Sequence, residues 1–158
     1  MQPDTCFYLH NVASDHTSLD LVLSTNADKY ADHWPAKYAM VEQKVVDDES
    51  MQWYYNEKTG GIHNGADKSF YLDFDYGWAM IADLTKNPKV SEHFPKKARE
   101  WFYEPGTGQL TTNVEGVKTA LNLMDQPKNW QSVNITPANT LVGKETGQWK
   151  IEYCFTGK

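Results

Sequence analysis

Three tryptophans, Trp53, Trp101 and Trp149, stand at equal intervals of 48 residues. Their settings are alike: Gln52-Trp53-Tyr54-Tyr55, Glu100-Trp101-Phe102-Tyr103 and Gln148-Trp149-Lys150-Ile151. A Thr-Gly turn follows the first two at the same offset, in Glu57–Ile62 (EKTGGI) and Pro105–Leu110 (PGTGQL). A second match, at an interval of 53, sets Leu9-His10-Asn11 and Leu19-Asp20-Leu21 beside Ile62-His63-Asn64 and Leu72-Asp73-Phe74. Leu121-Asn122-Leu123 supplies a third copy of the Leu-Asx signal, 49 positions after the second. Self-similarity of about fifty residues marks a chain built from copies of one supersecondary unit, and few folds accept that.

The copies also locate the start of the unit. Ile62 lies nine residues after Trp53, so Leu9 requires a tryptophan at position zero, before the chain begins. Trp149, in the final stretch QWKIEYCF, stands where that opening strand belongs. The expected organisation is one domain over 1–158, with repeats at about 5–52, 53–100 and 101–148, closed by a strand at 149–155 that pairs with the first.

Inside each unit the pattern is β. Phe70, Leu72, Phe74 and Tyr76 alternate with Tyr71, Asp73 and Asp75, the period-two signature of a half-buried strand. Leu19, Leu21 and Leu23 share one face, as do Leu121 and Leu123. The Thr-Gly turns supply residues that tolerate positive φ. Seven prolines argue against long helices, and Pro95 limits Ser91–Phe102 to a helical turn or two. Three β units closed end to end fit an all-β fold, a β-trefoil with pseudo-threefold symmetry. An eight-stranded lipocalin-like barrel matches the length but not the threefold repeat, and a three-bladed propeller is unusually small.

Net charge −6 and pI near 5.3, with no basic stripe, exclude a phosphate-backbone partner, so no nucleic acid is expected. The longest apolar run is Trp78–Ala82, so no membrane insertion is expected. The start MQPDTCFYLH has no basic region followed by an apolar one, which fits either a cytosolic protein or a secreted one in mature form. Cys6 and Cys154 come within bonding range if the first and last strands pair; two free thiols are the alternative, and a homodimer is compatible with the sequence.

The order Trp, Thr-Gly-x-Ile/Leu, then Leu-Asp-apolar resembles the ricin-B-type (R-type) lectin module over nearly the whole chain. The resemblance implies a β-trefoil that binds glycans or glycoproteins without catalysis and without a cofactor. It implies that the Asp of the Leu-Asp signal receives sugar hydroxyls while an aromatic later in the unit stacks on the ring. The chain departs from the family where its closing Gln-x-Trp requires Gln, since Met51, Arg99 and Gly147 stand there, and the usual intra-repeat cysteines are missing. Other trefoils, protease inhibitors among them, stay open; their inserted loop would be Lys86–Pro95 or Asn134–Gly143.

Carried onto this sequence, the polar candidates are Asp20, Asp73 and Asn122, read as outward-facing opposite the core leucines. A carboxylate there accepts two hydrogen bonds from vicinal hydroxyls; the alternative is a charge that discourages edge pairing. Trp34, Trp78 and Trp130 fall one per unit in polar stretches, where an indole either packs or binds. Asp73, Asp75 and Trp78 are the densest group, so the second unit is the first choice. Ca²⁺ between Asp73 and Asp75 lacks an ordered set of further oxygen ligands nearby, and no metal is expected. The recurrence of His10 with His63 and of Asn11 with Asn64 points to scaffold hydrogen bonds, and no catalytic motif is visible.

Overall fold

The computed structural model describes residues 1–25, 36–75, 77–83 and 98–154. They form thirteen strands: β1 (Phe7–Asn11), β2 (Leu21–Ser24), β3 (Ala36–Tyr38), β4 (Met40–Gln43), β5 (Trp53–Asn56), β6 (Gly61–Asn64), β7 (Phe70–Asp75), β8 (Trp78–Asp83), β9 (Phe102–Glu104), β10 (Gln109–Val114), β11 (Val117–Leu123), β12 (Gln131–Pro137) and β13 (Trp149–Tyr153). Among the described residues the only helical elements are short 3₁₀ turns, and no helix is long and apolar enough to cross a membrane. The pairings among these thirteen strands are antiparallel, and the fold is a β-trefoil. The expected helical turn at Ser91–Phe102 lies mostly outside the described residues; its end, Phe102, begins β9.

Closure is made by β1 and β13, in register from Phe7↔Tyr153 to Asn11↔Trp149. The disulfide Cys6–Cys154 sits just beyond that ladder, with Cα atoms 5.4 Å apart. Parity on the strands sends both cysteines off the core face, yet Cys6 is buried, and Cys154 packs on a satellite cluster of Tyr8, Val22 and Met51.

The repeating tryptophans are fully buried and do one job three times. Their indole N–H groups donate to main-chain carbonyls, Trp53 to Leu23, Trp101 to Leu72 and Trp149 to Leu121, each at 3.0 Å. A buried indole N–H must find an acceptor, and here it ties the strand that opens each unit to the hairpin of the unit before. The Thr-Gly turns are equally repetitive. Gly60 and Gly108 both have φ +74°, and their carbonyls accept from Trp101 N and Trp149 N. A Cβ on Gly60 would lie 2.4 Å from Glu100 Cγ, so backbone conformation and space both require glycine there. Asn11 and Asn64 cap strand ends in the same way: their amides donate to Thr146 O and Ser50 O, and their side-chain oxygens accept from Ala13 N and Ala66 N.

The core joins Phe7, Leu9, Leu21, Leu23, Val41, Ile62, Leu72, Ile81, Leu110, Leu121 and Val133 around the three indoles. Leu19 precedes β2 and only packs against that core from its edge.

Candidate functional site

Strand register decides which residues are equivalent. His10 faces Val22, His63 faces Tyr71 and Thr111 faces Ala120. Leu23, Leu72 and Leu121 therefore correspond, as their shared tryptophan bonds also show, and the residue after each is Ser24, Asp73 and Asn122. Asp20 is not the counterpart of Asp73. The β1–β2 connection carries a 3₁₀ turn, Val12–His16, which lengthens it and carries the Leu19-Asp20 pair ahead of the strand. The 53-residue match is true for His-Asn and misleading for Leu-Asp.

Asp73 itself is not outward in the sense of being wet. Its strand face opposes the core leucine, but the segment before Trp101 covers it and the residue is 1% exposed. Arg99 Nε donates to Asp73 Oδ1 at 2.8 Å while the guanidinium lies 4.0 Å above the Phe74 ring. The residue standing where the Gln of Gln-x-Trp is expected thus holds the very carboxylate proposed for sugar. In the third unit Gly147 stands there, and Asn122 Oδ1 is buried with no hydrogen-bond partner among the described residues. Trp78 opens β8, opposite Asp75 and Asn134 in register, and its indole is 40% exposed.

Trp78 walls a cleft of about 330 Å³ lined by Tyr38, Ala39, Met40, Ala79, Ser132 and Val133. Register makes Ala39, Ala79 and Val133 equivalent, and Tyr38, Trp78 and Ser132 likewise, so the cleft is where the hairpins of all three units converge. Tyr38, Trp78 and Ser132 are its aromatic and hydroxyl-bearing lining residues, and Asp73 is not among them. Asp75 ends β7, and Trp34 lies outside the described residues. Trp130 precedes β12 with φ +68°, its N–H bonded to Val41 O; it is 40% exposed and lines neither this cleft nor the one beside His10.

Asp20 meets different partners. Its Oδ1 is 2.6 Å from His10 Nδ1, and the other ring nitrogen, Nε2, is 3.2 Å from Glu152 Oε1. That second approach is an ion-pair distance without hydrogen-bond alignment. Glu152 also pairs with Lys44, whose ammonium lies over the Tyr8 ring. Burial pushes the Glu152 carboxyl up, but the Lys44 hydrogen bond and the nearby imidazole outweigh it and hold the group below its ordinary value. His10, Asp20 and Glu152 line an open cleft of about 570 Å³ with Lys150, Ile151 and Tyr153. Neither Glu152 nor His10 is a candidate on motif grounds; pairing the last strand with the first is the signal that brings them together.

His63, the counterpart of His10, is stacked on Tyr54 at 5.2 Å and edge-on to Tyr71 at 5.8 Å. Burial lowers its pKa below 6.5; a weak bond to the Asn64 carbonyl opposes the shift and Lys68 adds to it. Among the described residues no three His, Cys, Asp or Glu side chains are grouped to hold a metal. Of the two inhibitor-type loops, Lys86–Pro95 lies outside the described residues. In the other, Asn134–Pro137 belongs to β12 and pairs with β11, and a 3₁₀ turn, Ala138–Leu141, follows.

No family model and no characterised protein sequence matches the chain. Solved structures do. The C-half of the earthworm R-type lectin, solved with GalNAc, superposes with TM-score 0.67 at 14% identity, over 94% of this chain and 98% of that one. The β-trefoil lectin of Vibrio vulnificus hemolysin/cytolysin, solved with N-acetyl-D-lactosamine, superposes with TM-score 0.68 at 11% identity, over 99% and 100%. An arabinofuranosidase complexed with arabinofuranosyl-α-1,2-xylobiose matches 99% of this chain but only 32% of its own length, with TM-score 0.58 and 8% identity. The chain thus spans about a third of that enzyme. At these identities the likenesses establish the fold, a β-trefoil.

Proposed function

We propose that this chain is a carbohydrate-binding module that recognises glycans or glycoproteins through shallow sites and catalyses no reaction itself. The observation that carries the reading is Trp78: 40% exposed and lining an open cleft together with Tyr38 and Ser132, in a chain whose three repeating tryptophans are fully buried. The C–H face of a pyranose packs on such a ring, and hydroxyls at its edge take hydrogen bonds from groups like Ser132. Structural likeness to lectins solved with GalNAc and N-acetyl-D-lactosamine supports the same class of ligand here.

A glycan array probed with the intact chain tests this. The expected result is binding to a restricted group of glycans, lost in Trp78→Ala. An array without hits, or hits unchanged in Trp78→Ala, removes the Trp78 cleft as the site.

A further inference from the structure

We propose that the open cleft over the β1–β13 ladder is a second sugar site, one that grips a vicinal diol between Asp20 and Glu152 and uses His10 as its positioning residue. This rests on the carbohydrate reading above but not on the Trp78 cleft. Both carboxylates are about half exposed, while the imidazole between them is nine-tenths buried. Each carboxylate spends one oxygen inward, Asp20 Oδ1 on His10 Nδ1 and Glu152 Oε1 on Lys44 and His10. The second oxygen of each remains to accept hydroxyl protons, and a diol offers two from adjacent carbons. Acceptors fixed from beneath lose little freedom when the ligand arrives. Ile151 and Tyr153 add an apolar and an aromatic surface to the same cleft.

Two observations separate this cluster from scaffold. It occurs once: the counterpart of His10 in the second unit is the ring-stacked His63, and in the third it is Thr111, whose hydroxyl bonds the Phe102 carbonyl. Elements that build the trefoil recur, as the tryptophans and the strand-end asparagines do. His10 Nε2 is also buried without a hydrogen bond, beneath the carboxylate that rims the cleft. The local charges indicate a neutral ligand. Lys44 pairs with Glu152, and Lys150, which also lines the cleft, has its Nζ 2.7 Å from Asp15 Oδ2, so cations and carboxylates are interspersed there without a strong field of one sign.

The test is an NMR titration of the full chain with galactose and N-acetylgalactosamine up to about 50 mM, following backbone amides and indole N–H signals. Saturable shifts at Ile151 and Tyr153 are expected, weakened at least tenfold in Asp20→Asn/Glu152→Gln. The Trp78 indole shift should persist in that variant. If the double variant does not fold, the two single variants are read instead. His10→Ala should weaken the Ile151 and Tyr153 response, and His10→Gln, which still donates to Asp20, should recover part of it. Equal loss in both overturns the positioning role. Shifts at Trp78 with none at Ile151 and Tyr153 overturn this site and leave the carbohydrate reading standing; shifts at neither place, with no array hit, overturn both.

Discussion

Arg99 donates from Nε to Asp73 Oδ1 across 2.8 Å, and by doing so it converts the carboxylate most suggestive of sugar binding into a buried structural charge. Burying a carboxylate is tolerable only while its partner stays in place. Arg99 is also held by its contact with Phe74, which fixes the guanidinium as well as neutralising it. Removing Arg99 takes the cation from the buried carboxylate, and removing Asp73 takes the anion from the guanidinium. Arg99→Ala and Asp73→Ala are each expected to cost about 3 kcal/mol of stability. Asp73→Leu with Arg99→Leu together should cost less than the sum of the single changes. Urea denaturation of the four proteins measures this; an Asp73→Ala variant as stable as the parent shows that the carboxylate carries no structural role.

The disulfide Cys6–Cys154 spans 148 positions and closes nearly the whole chain into one loop. Chain entropy puts its contribution at about 5 kcal/mol, as an upper figure. Mass spectrometry without reductant should find the bond in protein purified under oxidising conditions. Reduction, or Cys154→Ser, should then lower the melting temperature substantially, since the first and last strands lose their tether. Two free thiols in such a preparation contradict the bond.

The trefoil was legible from the 48-residue tryptophan interval because the indole of each unit has the same acceptor to reach, and that geometric demand fixes the spacing. The Leu-Asp interval misled for a physical reason of its own. A 3₁₀ turn lengthened one connection, and strand pairing follows the leucine that reaches the tryptophan, Leu23, rather than the Leu19-Asp20 pair that looks similar. Alternation along β7 correctly set Asp73 opposite Leu72, but alternation says which face a side chain takes, not what covers that face. Arg99 covers it, from a segment 26 residues away. The Asp20–His10–Glu152 cluster joins the two ends of the chain and has no local signature at all.

Acid should act on this protein first through His63. Burial between Tyr54 and Tyr71 holds its folded-state pKa below the ordinary 6.5. Once the pH falls below 6.5 the unfolded chain binds a proton that the folded chain still refuses, so stability drops with pH until the folded-state pKa is passed. His63→Gln should flatten that part of the stability profile. Glu152, also lowered, acts in a more acidic window beginning at its ordinary 4.5, where its contribution is lost as the carboxylate protonates. Denaturant midpoints taken between about pH 7 and pH 3 separate the two; an unchanged slope in His63→Gln refutes the assignment.

The β10–β11 turn offers a stabilising change. Glu115 and Gly116 have φ +50° and +82°, the left-handed pair of a two-residue hairpin. Gly tolerates that conformation, whereas Glu is strained in it and Asn adopts it readily. Glu115→Asn should stabilise the chain by roughly 0.5–1 kcal/mol, seen as a higher melting temperature. A lower one shows that the Glu115 side chain contributes more than its backbone strain costs.

Trp78 carries the sharpest functional prediction, because its indole is accessible while Trp53, Trp101 and Trp149 are sealed in the core. Burying the face of a large apolar side chain against a ligand is worth up to roughly 1.5–3 kcal/mol. Trp78→Ala should therefore weaken binding of the best array glycan by about tenfold or more. Because the indole is exposed, the melting temperature should stay near the parent's, in contrast to Asp73→Ala. Trp78→Phe keeps a smaller aromatic face and should fall between the two. Single-site binding of this strength is weak, so a surface carrying clustered copies of the glycan should retain the chain far better than a monovalent one if more than one cleft engages. Isothermal titration with a monovalent glycan, beside surface binding at high and low glycan density, measures both quantities. Equal affinity in the parent and in Trp78→Ala, with both proteins folded, shows that sugar does not stack on this indole.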